Sequence, residues 1–276
     1  MPRTLAALVL SSHPGPSVAV STVAVVLGIA VGLDPLQVAI LGVAFLLGQL
    51  SVGLSNDWID AERDRAVGRT DKPIATGLVD VGTVRAAAFV AAIAAIVLTL
   101  PLGWPATLAH TVFIFSAWSY NLGLKNTPIS VLPYMLSFGL LPMIATLARP
   151  VPVAAAPWAL ALGALLGVSA HFANVLPDLE DDANTGISGL PHRLGRRASG
   201  VVILASLVAG ALAAFFGPAG DKTTLQWIGL TLTVLLALGI AIVLRRPPTR
   251  LLFQLIIAAA LVNVVLLSFG GPRLFA

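Results

Sequence analysis

Nine stretches of this chain run almost without charge for roughly 17 to 24 residues, the length an α-helix needs to cross a hydrocarbon core. They cover 16 to 33, 35 to 54, 82 to 100, 104 to 120, 128 to 148, 153 to 176, 198 to 216, 224 to 244 and 250 to 269. No water is available at that depth to satisfy an open backbone, so only helices and closed barrels can span. The strict apolar-polar alternation of a barrel strand is missing, which leaves helices. With 58% hydrophobic residues, 10% charged residues and a mean hydropathy of +0.96, the composition exceeds that of soluble domains. The chain is an all-α integral membrane protein, read as a single transmembrane domain over residues 1–276.

Ahead of the first span, Leu5 to Leu10 is a short apolar run followed by Ser-Ser-His-Pro-Gly-Pro. It lacks the small-residue cleavage site of a signal peptide, so it is expected to stay as an interfacial segment. Orientation follows from the cations. With a cytoplasmic N-terminus the inner side receives Arg3, Arg63, Arg65, Arg69, Lys72, Arg85, Lys125, Arg193, Arg196, Arg197, Arg245, Arg246 and Arg250, against Arg149, Lys222 and Arg273 outside. The expected location is the cell membrane, with the C-terminus outside. The pI of about 10.1 then reports topology. No basic run is interleaved with aromatics as a nucleic-acid groove would need, so nucleic acid is not an expected partner. The absence of cysteine excludes disulfides and thiolate sites, and no Gly-rich phosphate loop is present.

Seven residues recur at one offset: Asn56, Asp60, Glu62, Asp64, Gly68, Pro73 and Gly77 return as Asn174, Asp178, Glu180, Asp182, Gly186, Pro191 and Gly195. The two segments follow the second and the sixth span and fall on the cytoplasmic side. That spacing suggests two four-helix units of parallel topology with a ninth helix added, arranged around a central cavity. If each motif continues its helix, Asn56, Asp57, Asp60 and Asp64 share an arc of about 100° while Glu62 points away. Asn174, Asp178 and Asp182 make the matching stripe, with His171 one turn earlier, although Pro177 would kink this copy. A single acidic loop beside Arg63, Arg65 and Arg69 would read as a solvated, salt-bridged surface. Two matched copies do not. Facing carboxylates repel unless cations lie between them, and hard oxygen ligands at this spacing suit Mg²⁺ carrying a diphosphate.

The residues then resemble a known family. Asn56-Asp57-Trp58-Ile59-Asp60-Ala61-Glu62-Arg63-Asp64 matches the N-D-x-x-D-x-x-x-D motif of UbiA-type intramembrane prenyltransferases, and Asp178-Leu179-Glu180-Asp181-Asp182 looks like their D-x-x-x-D motif. Tyr120-Asn121-Leu122-Gly123-Leu124-Lys125 resembles the family's Tyr and Lys element after the fourth helix. The resemblance covers nearly the whole chain. It departs from the family where many members carry Arg-Pro and this chain has Lys72-Pro73, and where some aromatic-acceptor members place Arg but Asn126 follows the Lys.

The resemblance implies Mg²⁺-dependent ionisation of an isoprenyl diphosphate donor. The metal set is Asn56, Asp57, Asp60, Asp64, Asn174, Asp178 and Asp182; Tyr120 and Lys125 join Asp60, Asp64, Asp178 and Asp182 as catalytic. Lys72, Arg63, Arg69 and Arg193 add charge to the leaving group, and His171, Asn56 and Asn174 complete the substrate-binding set. The allyl cation would be shielded among transmembrane helices, its tail among apolar side chains or membrane lipid, and captured by an aromatic or other lipophilic acceptor. A UbiA-type terpene cyclase would use the same ionisation. A cation-coupled secondary transporter would also need carboxylates, but its site belongs near the midplane. His110 and Asn263 read as helix-packing hydrogen-bonders, His13 as an interfacial residue, and Trp104 and Trp158 as interface anchors. Gln49, two turns before Asn56, is explained equally by lining the cavity or by interhelical bonding.

Single cysteines at Ala183 and Ala219, on a chain with no native cysteine, test the orientation. In sealed right-side-out vesicles an impermeant maleimide is expected to label only Ala219→Cys; labelling of Ala183→Cys from outside reverses the topology.

Overall fold

The computed structural model describes residues 2–177, 179, 187–244 and 250–275. All regular structure there is helical: α1 (Pro2–Ser11), α2 (Pro14–Ala30), α3 (Pro35–Ala66), α4 (Val81–Thr99), α5 (Trp104–Leu122), α6 (Leu132–Leu147), α7 (Pro157–Val175), α8 (Leu190–Phe216), α9 (Thr224–Val243) and α10 (Arg250–Ser268). Among the described residues five helical segments are long and apolar enough to cross a membrane: Pro35–Ala66, Val81–Leu102, Pro157–Val175, Leu190–Phe216 and Thr224–Val243. A sixth span arises if α1 and α2, bent by 62°, count as one.

Local chemistry starts these helices where they start. Asp34 accepts from the backbone of Leu36 and Gln37 while the Gln37 side chain returns to the Asp34 N–H, a reciprocal cap for α3. Thr223 and Gln226 repeat the device at α9, and Asp80 caps α4 through the Thr83 N–H. Proline occupies the first helical positions of α2, α3, α5, α6, α7 and α8, where its missing N–H costs nothing. At 32 residues α3 is about 48 Å long, well beyond a hydrocarbon core, so its last turns project past the apolar slab. The helix α8 begins at Leu190, ahead of the expected 198, and breaks at Gly195, whose φ of 74° no continuous helix allows.

The helices close a ring. Starting from α2, contacts run α2 to α3, α3 to α4 and α5, α5 to α6, α6 to α7, α7 to α8, α8 to α9 and α9 to α10, and α10 returns to α2. Small residues set the closest approach. Gly163 and Gly167 of α7 lie against the backbone of α6 at Phe138 and Tyr134, where any Cβ would overlap a carbonyl. This contact seats Tyr134 and Phe138 on the inner surface. Gly53 of α3 likewise leaves room for the Ser12 carbonyl between α1 and α2.

Buried polar side chains tie helices together as expected. His110 lies 2.8 Å from Thr99 Oγ1, joining α5 to α4, and Asn263 donates to the carbonyls of Leu207 and Ala259, joining α10 to α8. Trp158 corrects its sequence reading as an interface anchor. It is 9% exposed, with Nε1 on the Arg273 carbonyl, because Gly217 and Gly270 open space for the indole and the chain end folds over it. Trp104 is 74% exposed.

Gly167→Val should push α6 from α7 and lower the melting temperature in detergent, an overpacking penalty of about 1–3 kcal/mol. Gly239→Ala, where an added Cβ meets only ordinary contacts, is the control and should melt like the parent.

Candidate active site

The last turns of α3 carry the first motif, and the helix sorts its residues by face. Asp57, Asp60 and Asp64 are 2%, 7% and 4% exposed, whereas Glu62 is exposed. Three buried carboxylates in a row repel one another, so each must draw in a cation. Lys72 donates to Asp57 Oδ1 at 2.6 Å from the loop after α3. Lys125 donates to Asp60 Oδ2 at 2.6 Å from a 3₁₀ turn, Leu124–Asn126, that follows α5. Arg63 bridges Asp60 at 3.0 Å and Asp64 at 3.7 Å.

These groups rim a cavity of about 560 Å³. Asn56, Asp60, Asp64, Arg63, Arg69, Lys72 and Lys125 form its polar mouth, and Val20, Phe113, Ala117 and Phe138 its apolar depth. Burial pushes the Lys125 ammonium below the usual lysine range, against which the Asp60 carboxylate holds its charge. At the rim, two 2.7 Å hydrogen bonds from Arg69 hold the Asp71 carboxyl down at about 2, so that pair is ionised at neutral pH. A second hollow of about 490 Å³ lies between α5 and α6, against Leu124, Leu132 and Leu136, and no charged side chain lines it.

Not every expected site residue reaches the cavity. Asn56 does, donating to Asp60 at 3.2 Å and to Asn121 at 3.4 Å. Asp57 stands behind the lining, held by Lys72 and by His13 at 2.9 Å. Tyr120 lines the wall, its ring 5.2 Å from Tyr134 and 5.6 Å from His171. His171 supports those rings from behind; it is 1% exposed and 3.0 Å from Ser130 Oγ, which also accepts the Leu190 N–H. Arg193 turns outward, with Nε on the Ser188 carbonyl, and His192 lines the cavity in its place. Asn174 lines the wall contributed by α7. Asp178 and Asp182 lie outside the described residues.

Sequence reasoning does not single out several lining residues as site residues, among them His13, Ser17, Asn121, Tyr134 and His192. His13 bridges Asp57 and Lys72 and takes a left-handed conformation, φ 51°, the only non-glycine positive φ among the described residues. The Ser17 hydroxyl fixes that turn by donating to the carbonyls of Ser12 and His13. Asn121 donates to the Val52 carbonyl and to Ser55, fastening α5 to α3 beside the motif. Tyr134 gave no signal, being a lone aromatic in an apolar run.

The oxygen donors of Asn56, Asp60 and Asp64 suit one side of a Mg²⁺ site. Among the described residues no group of three or more His, Cys, Asp or Glu is arranged to hold a metal, and Arg63 and Lys125 pair with the Asp60 carboxylate.

The model of the UbiA prenyltransferase family matches residues 17–258. The chain belongs to the UbiA prenyltransferase family. This UbiA protein is 29% identical over 209 residues to the 4-hydroxybenzoate octaprenyltransferase of Ralstonia nicotianae, across 74% of this chain and 70% of that one. Among solved structures it resembles a UbiA homolog from Archaeoglobus fulgidus bound to DMAPP and Mg²⁺, with a TM-score of 0.74 at 13% identity over 97% of this chain and 98% of that one. A digeranylgeranylglyceryl phosphate synthase structure gives 0.69 at 15% identity, over 98% of each chain. At those identities the likeness is one of fold.

Lys125→Met should leave the Asp60 carboxylate with only Arg63 and Asn56 and lower stability in detergent by about 3 kcal/mol, the lower end for breaking a buried pair. Adding Asp60→Asn should restore most of the loss in a double-mutant cycle. Equal, additive losses would mean that the two side chains do not interact.

Proposed function

We propose that this UbiA-family protein transfers an isoprenoid chain from an allylic diphosphate to an aromatic or other lipophilic acceptor within the membrane, with Mg²⁺ as cofactor. The observation that carries this reading is the cavity, whose mouth combines carboxylates with four basic side chains above an apolar, aromatic depth. A diphosphate ester has that division, a charged head on a hydrocarbon tail. The solved homolog with DMAPP and Mg²⁺ and the 4-hydroxybenzoate octaprenyltransferase relative support the same donor and acceptor classes.

Asn56, Asp60 and Asp64 would hold the metal from the α3 side and Asn174, Asp178 and Asp182 from the other, with Asp57 acting through Lys72 and His13. Bound there, Mg²⁺ supplies neutralisation of the diphosphate as it leaves. Lys125 and Arg63 exchange their carboxylate partners for phosphate oxygens when the donor enters, and Lys72 and Arg69 add charge at the rim. Arg193, on the outward face, would meet the diphosphate only before it enters. The Tyr120 ring faces the cavity and stabilises an allylic cation by its π surface. Phe113, Phe138 and Val20 keep water from that cation.

We further infer nine spans in two four-helix units plus one, a cytoplasmic mouth and a single domain over 1–276. The repeated Gly77 and Gly195 support the two units: φ is 75° at one and 74° at the other, each four residues beyond its motif's proline.

Purified protein with Mg²⁺ and labelled allylic diphosphates from geranyl upward should give prenylated adducts only with an acceptor such as a hydroxybenzoate or dihydroxynaphthoate. Asp60→Asn or Asp178→Asn should reduce diphosphate release by on the order of 100-fold. The exposed Glu62→Gln should stay within about threefold. A cyclised product from donor alone identifies a terpene cyclase; ion flux without diphosphate release identifies a transporter.

A further inference from the structure

Gln49 lies on α3 seven residues before Asn56, about 10 Å further from the mouth along the helix, and it lines the cavity. Among the described residues nothing hydrogen-bonds its side-chain amide. Other polar residues of the lining have partners of their own: Ser17 donates to the Ser12 and His13 carbonyls, Ser137 to the Phe113 carbonyl, and Asn121 to the Val52 carbonyl. The apolar part of the cavity lining includes Val20, Val52, Phe113, Ala117 and Phe138. A hydrocarbon packed there would leave the amide without water or partner, an unfavourable state at membrane depth.

The occupant at that level must therefore bring a polar group of its own. The donor cannot, since its charged head belongs among Lys72, Lys125 and Arg63 and the rest of it is apolar. An amide donates and accepts, which matches a phenolic hydroxyl or ring carbonyl. Gln49 precedes Asp60 by 11 residues, about 16 Å along the axis, enough for one ring between the amide and the allylic carbon. We propose that Gln49 is the specificity-determining residue for the acceptor, hydrogen-bonding a hydroxyl of a hydroxylated aromatic ring and presenting a ring carbon ortho to that hydroxyl to the donor. This rests on the transferase reading.

The test compares 4-hydroxybenzoate with 4-methylbenzoate, which has the same shape without the hydroxyl, binding being read by tryptophan fluorescence on the purified full chain. Wild type should prefer the hydroxylated probe about tenfold, the worth of one good hydrogen bond. Gln49→Leu should abolish that preference while the KM for geranyl diphosphate stays within about twofold; Gln49→Met reports the same if the leucine variant fails to insert. No preference in wild type, a preference retained in both variants, or a parallel rise in donor KM overturns the assignment. Those outcomes leave Mg²⁺-dependent diphosphate release intact, whereas loss of the transferase reading would appear as no release with any acceptor.

Discussion

Three aspartates on one face of a helix leaving a membrane can be left neither to lipid nor to one another, and the rest of the motif end is arranged to answer them. Lys72 returns from the loop after α3 to reach Asp57, and Lys125 comes from the turn after α5 to reach Asp60. Each ion pair therefore fixes a segment that has no long helix of its own. Asn121 completes the attachment of α5 by bonding to the α3 backbone at Val52. Coulomb attraction at low dielectric both holds the connecting segments and shapes the cavity mouth.

That arrangement also accounts for the burial of the first motif. Its carboxylates are balanced by Lys72, Lys125 and Arg63, cations of the type that would bind a diphosphate. On the proposed reading, a donor arriving with divalent ions would take over the lysines and arginine while the ions took over the aspartates, so neither set would be stranded. Removing one partner alone is the costly change. The Gly163 and Gly167 contact contributes differently: by letting α7 approach α6 it aligns Tyr134 and Phe138 with the cavity and backs Tyr120 with His171.

Periodicity and charge determined much in advance. Apolar runs long enough to span announced the helices, and the i, i+4 spacing from Asn56 through Asp60 to Asp64 put those side chains on one face with Glu62 opposite, because helix geometry is local. The caps at Asp34, Asp80 and Thr223 and the prolines at helix starts are local as well. Tertiary structure alone decided which members of that face see the cavity. Asp57 belongs to the stripe yet turns to His13 and Lys72, 44 and 15 residues away in the chain. His13 looked like an interfacial residue because its partner is Asp57, its strained turn is held by Ser17, and Gly53 makes room for it; none of these is visible in a local window. His171 shares a face with Asn174 but lies behind Tyr120, since packing of α5, α6 and α7 decides depth. The unpartnered amide of Gln49 likewise emerges only once the neighbouring helices are in place, because a hydrogen-bond partner is a property of the assembled bundle.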